Sequence, residues 1–294
     1  MLNRRHPIDI IQAIPKRFKE SHKGTYGRLL LMAGSRRYTG AAALMVEAAL
    51  RSGVGLVIVV AIHDVAQVIR IRNPEAIVIE APETDGSFDK RVVDLMRDIL
   101  TEYECSAVGI GPGIGPLKHS DHVYGGMHQM LVEHKWPMLI DADALAPMYQ
   151  RVVAQPIGDN RLVFTPHPKE FLSMTKASQL DEKNKAVLQA AKQARQVIVY
   201  KTNGTIIGSA HGVWDCRTGN EGLATAGSGD VLSGMVSGFL AQGVPPLNAA
   251  KLGVYMHGLT AEIASHEFGL RSIVASDLCQ TIPKAFQELV QYHG

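Results

Sequence analysis

Apolar positions in this chain gather into short unbroken runs separated by glycine-bearing loops and stretches of helical spacing. Residues 28–33 (RLLLMA), 56–61 (LVIVVA), 76–80, 107–110, 138–140 (MLI), 162–164 and 197–200 (VIVY) read as strands buried on both faces. Between them the spacing predicts helices over 41–50, about 88–100, 123–132 and 183–194, the first alanine-rich and stopped by Gly53 and Gly55. Strands alternating with helices imply a mostly parallel sheet covered on both faces, an α/β fold. Beyond Lys201, residues 205–208 and 212–216 read as short strands joined by a turn, antiparallel at a sheet edge. Three helices follow, one opening at Asp230 and the others near 247–267 and 276–290. A short amphipathic stretch at 8–14 precedes the first strand. No linker, charge block or repeat divides the 294 residues, so 1–294 is expected to be one domain with 1–21 as a lead-in.

Composition narrows the classes. A hydrophobic content of 46% is enough for a large core that needs no staple. Lysine plus arginine number 30 against 28 acids, and the basic residues form no long cluster, which argues against a nucleic-acid groove. Three cysteines, Cys105, Cys216 and Cys279, are odd in number and lack zinc spacing, as in a reducing compartment. No apolar run reaches membrane-spanning length and the N-terminus has no signal-like core, so the expectation is a soluble, cytoplasmic protein with no membrane partner.

Candidate chemistry centres on GNEGLATAGSGDVLSG, residues 219–234. Gly227, Ser228 and Gly229 lead into Asp230, and the apolar positions after it repeat as in a helix. Amides at a helix N-terminus lack partners and the dipole is positive there, so Gly227, Ser228 and Gly229 are candidates for an anion hole that admits a phosphate. A carboxylate beside an anion site is explained if it takes a proton from a hydroxyl attacking phosphorus. A bare GSGD would more simply be a helix cap.

In parallel sheets ligands bind beyond the carboxyl ends of strands, and five loops there are unusual. Residues 34–41 end at a helix start. GIGPGIG at 109–115 invites close backbone approach and is no dinucleotide fingerprint, since its glycines are spaced wrongly. Asp141 and Asp143 follow a strand and suit water around a magnesium ion or orientation of a substrate, one of them capping the next short helix. His167 stands between two prolines that keep its backbone extended, and Glu170 opens the following helix. Lys201, Thr202, Asn203, Gly204 and Thr205 place a lysine and small polar groups where a diphosphate could lie. His119 and His122 have no third ligand nearby and read as surface residues.

These pieces occur together and in order: HKGTYGRLLLMAGS, YTGAA with ALRSGVGLV, GPGIG, DADAL, TPHPKE and GNEGLATAGSGDVLSG. In this combination the chain resembles the NAD(P)H-hydrate dehydratase family, from His22 almost to the C-terminus, in its standalone form without an epimerase domain. The resemblance implies a ribokinase-like three-layer αβα sandwich with no lid domain. It implies that Ala41, Gly113 or Gly115, His167 and Asp230 contact hydrated NADH or NADPH, and that the 201–205 loop and Gly229 contact an adenine nucleotide. Glu170 falls where related kinases carry a magnesium motif, which makes it a candidate for the outer shell of Mg2+. Standalone relatives use ADP, which sets ADP ahead of ATP as donor, and the family tends to form tetramers. One departure is a side chain at Thr202 where the family usually has Lys-Gly.

The chemistry that goes with this resemblance is phosphorylation of the ring hydroxyl, with Asp230 as base, followed by expulsion of phosphate. A small-molecule kinase of the same fold, acting on a thiazole or pyridoxal alcohol, would use Asp230 identically. A regulatory module without catalysis would lack the acid or the glycine loop, and both are present.

Overall fold

The computed structural model describes residues 7–179 and 182–291. Its centre is a nine-stranded sheet in the order β11-β10-β9-β8-β7-β6-β1-β2-β3. The strands are β1 (Arg28–Met32), β2 (Leu56–Ala61), β3 (Ile77–Glu80), β6 (Ala107–Ile110), β7 (Met138–Ile140), β8 (Leu162–Phe164), β9 (Val197–Tyr200), β10 (Thr205–Ser209) and β11 (Gly212–Cys216). Strands β3 to β9 in that order pair in parallel, and β10 and β11 are antiparallel at one edge. The helices are α1 (Ile8–Gln12), α2 (Thr39–Arg51), α3 (His63–Arg72), α4 (Val92–Glu102), α5 (Ser120–Glu133), α6 (Leu145–Ala154), α7 (Pro168–Thr175), α8 (Lys183–Ala194), α9 (Ser228–Ala241), α10 (Pro246–Phe268) and α11 (Ala275–Gln291). They cover both faces of the sheet. Among the described residues no helix is long and apolar enough to cross a membrane.

The apolar runs are strands because both of their faces are covered: every residue of β6, β7, β8 and β9 is buried. One expectation fails at residue 88. The structure places Phe88 in β5 (Ser87–Phe88), paired with β4 (Glu83–Thr84), and α4 starts only at Val92. Phe88 is fully buried, so its apolar character reflects the hairpin's hold on the core and not the first turn of a helix. Helix α3 has no counterpart in the sequence reading, because its three buried residues, Val65, Ala66 and Ile69, are diluted by charge.

Helix α9 is buried along almost its whole length. It can approach α2 and the sheet closely because glycines stand at the contacts: a Cβ on Gly234 would lie 2.2 Å from the Met45 carbonyl oxygen, and one on Gly109 in β6 would lie 2.6 Å from Ser237 Oγ. This inner helix carries Asp230 towards the strand ends.

The chain runs β1, β2, β3 towards one edge and then returns to lay β6 on the other side of β1. Strands β1 and β6 therefore flank a topological switch point, where a crevice opens at the carboxyl ends of a parallel sheet.

Candidate active site

Two of the five strand-end loops meet at the switch point. Gly34 N–H donates to the Pro112 carbonyl at 2.8 Å. Gly113 has φ +66, and a Cβ there would lie 2.8 Å from Tyr38 Cβ and 2.9 Å from Ala41 Cβ. Ala41, in the first turn of α2, and Gly113 are thus packed against each other at the switch point. Gly115, φ +72, faces Ser35, and its N–H donates to Asp143 Oδ2 at 2.8 Å.

The second cluster is ionic. Asp141, 2% exposed, accepts from Lys201 Nζ at 2.7 Å and from Ser233 Oγ at 2.6 Å. Lys201 Nζ also lies 3.9 Å from Glu170 Oε2. Burial works against the charge on Lys201, but Asp141, Glu170 and Asp230 together hold its pKa above the ordinary value. The two acids after β7 therefore do different jobs, and the expectation that one caps the next helix is corrected: neither side chain caps one.

Asp230 is the third residue of α9, whose N-cap is Gly227 with φ +89. Burial, then the charge of Asp141 and more weakly that of Glu170, push its carboxyl up to about 7 against the opposing pull of Lys201. Of the three residues expected to form an anion hole, Ser228 has its amide already engaged. Ser228 N–H is committed to the Thr225 carbonyl at 3.3 Å and Val231 N–H to that of Gly227 at 3.1 Å, which leaves Gly229 and Asp230 as the first-turn amides without a protein acceptor among the described residues. A Cβ on Gly229 would lie 3.4 Å from Lys201 Nζ, so the ammonium sits beside that residue.

The length of the glycine motif has a structural reason. Gly219 N–H donates to Glu262 Oε1 at 2.9 Å and Asn220 Nδ2 to the Ala261 carbonyl at 3.1 Å, both on α10. Gly258 lets that segment approach, since a Cβ there would lie 2.3 Å from the Thr218 carbonyl oxygen. His257, one residue earlier, puts Nε2 3.1 Å from Ser228 Oγ, and burial lowers its pKa to about 4, so the pair is neutral at working pH. Sequence reasoning missed His257, because only the packing of α10 on α9 gives it a partner.

His167 is the N-cap of α7. Its Nδ1 accepts from Glu170 N–H at 3.1 Å while Glu170 Oε2 accepts from His167 N–H at 2.7 Å, a reciprocal capping box. The imidazole is therefore turned back onto its own helix, although its side chain stays 48% exposed. Burial and the charge of Asp141 raise the pKa of Glu170. Lys201 N–H donates to the Pro166 carbonyl at 2.9 Å, which fastens the 201–205 loop to the His167 loop. Within that loop the left-handed residue is Gly204, φ +75, and not Thr202, so the extra side chain does not strain the backbone. Asn203 is exposed, and Thr205 Oγ1 donates to the Thr202 carbonyl at 3.4 Å. His119 and His122 are exposed, as expected.

A mostly parallel three-layer sheet with a buried inner helix, an acid at its glycine-led N-terminus and a lysine beside Gly229 defines a ribokinase-like protein. Residues 29–284 match the family described as NAD(P)H-hydrate dehydratase, and the chain belongs to that family. It is 34% identical to the ADP-dependent (S)-NAD(P)H-hydrate dehydratase of Bacillus subtilis over 93% of this chain and 94% of that protein. It is 35% identical to the bifunctional NAD(P)H-hydrate repair enzyme Nnr of Moorella thermoacetica over 94% of this chain but 52% of that protein, so it spans about half the length of such bifunctional relatives. The crystal structure of the B. subtilis ADP/ATP-dependent NAD(P)H-hydrate dehydratase, co-crystallized with ATP and Mg2+, superposes with a TM-score of 0.80 at 32% identity, covering 95% of this chain and 96% of that one.

Proposed function

We propose that this protein is an ADP-dependent (S)-NAD(P)H-hydrate dehydratase whose site lies in one domain formed by the whole chain. The observation that carries the reading is Asp230: a carboxyl raised to about 7, in the same helical turn as two acceptor-free amides, with the Lys201 ammonium alongside. A base of that strength removes the proton from the ring hydroxyl of the hydrate near neutral pH. The oxygen then bonds to the terminal phosphorus of ADP as the bridging P–O bond to AMP breaks. The amides of Gly229 and Asp230 and the Lys201 ammonium stabilise charge on the transferring group. The ring nitrogen's electron pair expels phosphate from the adjacent carbon, and loss of a proton from the next ring carbon restores the double bond. The products are NAD(P)H, AMP and phosphate.

Ala41, Gly113, Gly115 and His167 would line the dinucleotide side at the switch point. Lys201, Thr202, Asn203, Gly204, Thr205 and Gly229 would line the nucleotide side. Among the described residues no cluster of three ligating side chains could cage a metal by itself. Glu170, half-buried beside Lys201, suits Mg2+, which keeps waters and takes one or two carboxylates plus substrate phosphates. When bound there, the ion would neutralise charge on the donor's phosphates. Assembly as a tetramer belongs to the same proposal and is read by light scattering.

The test supplies NADH hydrate with ADP or with ATP and follows the return of the near-ultraviolet band of reduced nicotinamide. Recovery with ADP supports the reading. No recovery with either nucleotide, together with phosphorylation of a thiazole or pyridoxal alcohol, identifies a kinase instead.

A further inference from the structure

Asp141 and Asp143 are two residues apart, and on an extended segment they would point to the same side. They do not act together. Asp141 turns to Lys201 and Ser233, whereas Asp143 reaches the other loop and accepts from Gly115 N–H at 2.8 Å. Between them Ala142 has φ +48, a left-handed conformation that a β-carbon disfavours, and this turn sends the two carboxylates to different loops.

The loop that Asp143 grips is otherwise held near its start. Pro112 is tied to Gly34, Ile114 N–H donates to the Gly111 carbonyl at 3.1 Å, and the Ile114 side chain is buried. Gly113, the residue apposed to Ala41, stands between Pro112 and the Asp143 contact. A charge-assisted hydrogen bond to a backbone amide is a strong tether, and this one fixes the far end of the segment that walls the crevice. Asp143 itself is solvent-exposed, so its removal leaves no buried cavity.

We propose that Asp143 is a positioning residue for the hydrate side of the site, acting through Gly115 and leaving the nucleotide side untouched. This rests on the dehydratase reading above, and its test separates the two. Asp143→Ala should raise the KM for NADH hydrate about tenfold with kcat within about threefold, while the Kd for ADP by calorimetry stays within about twofold. Asp143→Asn keeps an acceptor oxygen and should recover most of the loss. Hydrogen exchange at the Gly113 and Gly115 amides should quicken in Asp143→Ala, with exchange in the 227–231 turn unchanged. An unaltered hydrate KM, an equal loss of ADP affinity, or failure of Asp143→Asn to recover would overturn the proposal. If the unmodified protein converts no hydrate, the dehydratase reading fails on that result alone. Unchanged exchange at Gly115 would then sink the Asp143 tether separately.

Discussion

Lys201 Nζ lies 2.7 Å from Asp141 Oδ1, so the cation near the N-terminus of α9 is already paired with a buried acid. Asp230 consequently feels a lysine whose charge is largely offset, and its pKa stays near 7. The groups facing it are Asp141 after β7, Glu170 on α7 and Lys201 after β9, while His257 on α10 stays neutral. If deprotonated Asp230 is the active form, turnover should rise with pH through a midpoint close to 7. Asp141→Asn removes one repelling charge and should move that midpoint to lower pH by on the order of one unit. A pH profile insensitive to this substitution would place the titrating group elsewhere.

Asp230→Asn should lower kcat by a hundredfold or more, on the order expected for loss of a general base, with ADP affinity preserved. Calorimetry with ADP beside the absorbance assay checks both halves. Near-wild-type turnover in this variant would remove Asp230 from the mechanism.

The same carboxyl makes a stability prediction. Its folded pKa is raised from an ordinary 3.8, so the folded protein binds this proton more tightly than the unfolded chain. The resulting stabilisation is complete below about pH 4 and is lost as pH rises to about 7, beyond which a buried charge opposes folding. Asp230→Asn should therefore be more stable than the wild type at pH 8, by on the order of 4 kcal/mol, and equal to it near pH 4. Thermal melts at the two pH values decide the sign.

Gly227→Ala should fold poorly. Its φ of +89 disfavours any side chain, and the new Cβ would stand 2.6 Å from Leu44 Cδ1 and 3.0 Å from Ala275 Cβ. A loss of about 1–3 kcal/mol is expected, with weaker ADP binding because the first turn of α9 is displaced. A melting temperature equal to wild type would mean that the turn is softer than its packing implies.

His167→Ala should cost about 1 kcal/mol through loss of the α7 cap, and His167→Asn should restore that stability. A substrate role for the imidazole would show as a raised hydrate KM in the otherwise stable His167→Asn. Wild-type kinetics in that variant would confine His167 to capping.

The strands of the main sheet and the identity of the strand-end loops were legible in the sequence, because apolar runs and glycine stops are local consequences of burial and backbone geometry. Helix α3 and the β4–β5 hairpin were not, because charge diluted the one and the core contact of Phe88 disguised the other. Residues 56–61, 107–110 and 183–194 form the elements their patterns predicted. The placement of Asp230 in the first turn of a helix was equally local. What the sequence left open depends on partners far along the chain. The meeting of Gly113 with Ala41 requires β6 to lie beside β1, a consequence of sheet order that no local pattern encodes. Likewise the division of labour between Asp141 and Asp143, the partner of His257, and the rise in the pKa of Asp230 come from groups 28 to 92 positions apart brought together by packing. Sequence fixes which groups are available to the site, and the fold sets their separations and their access to water, on which charge and proton affinity depend.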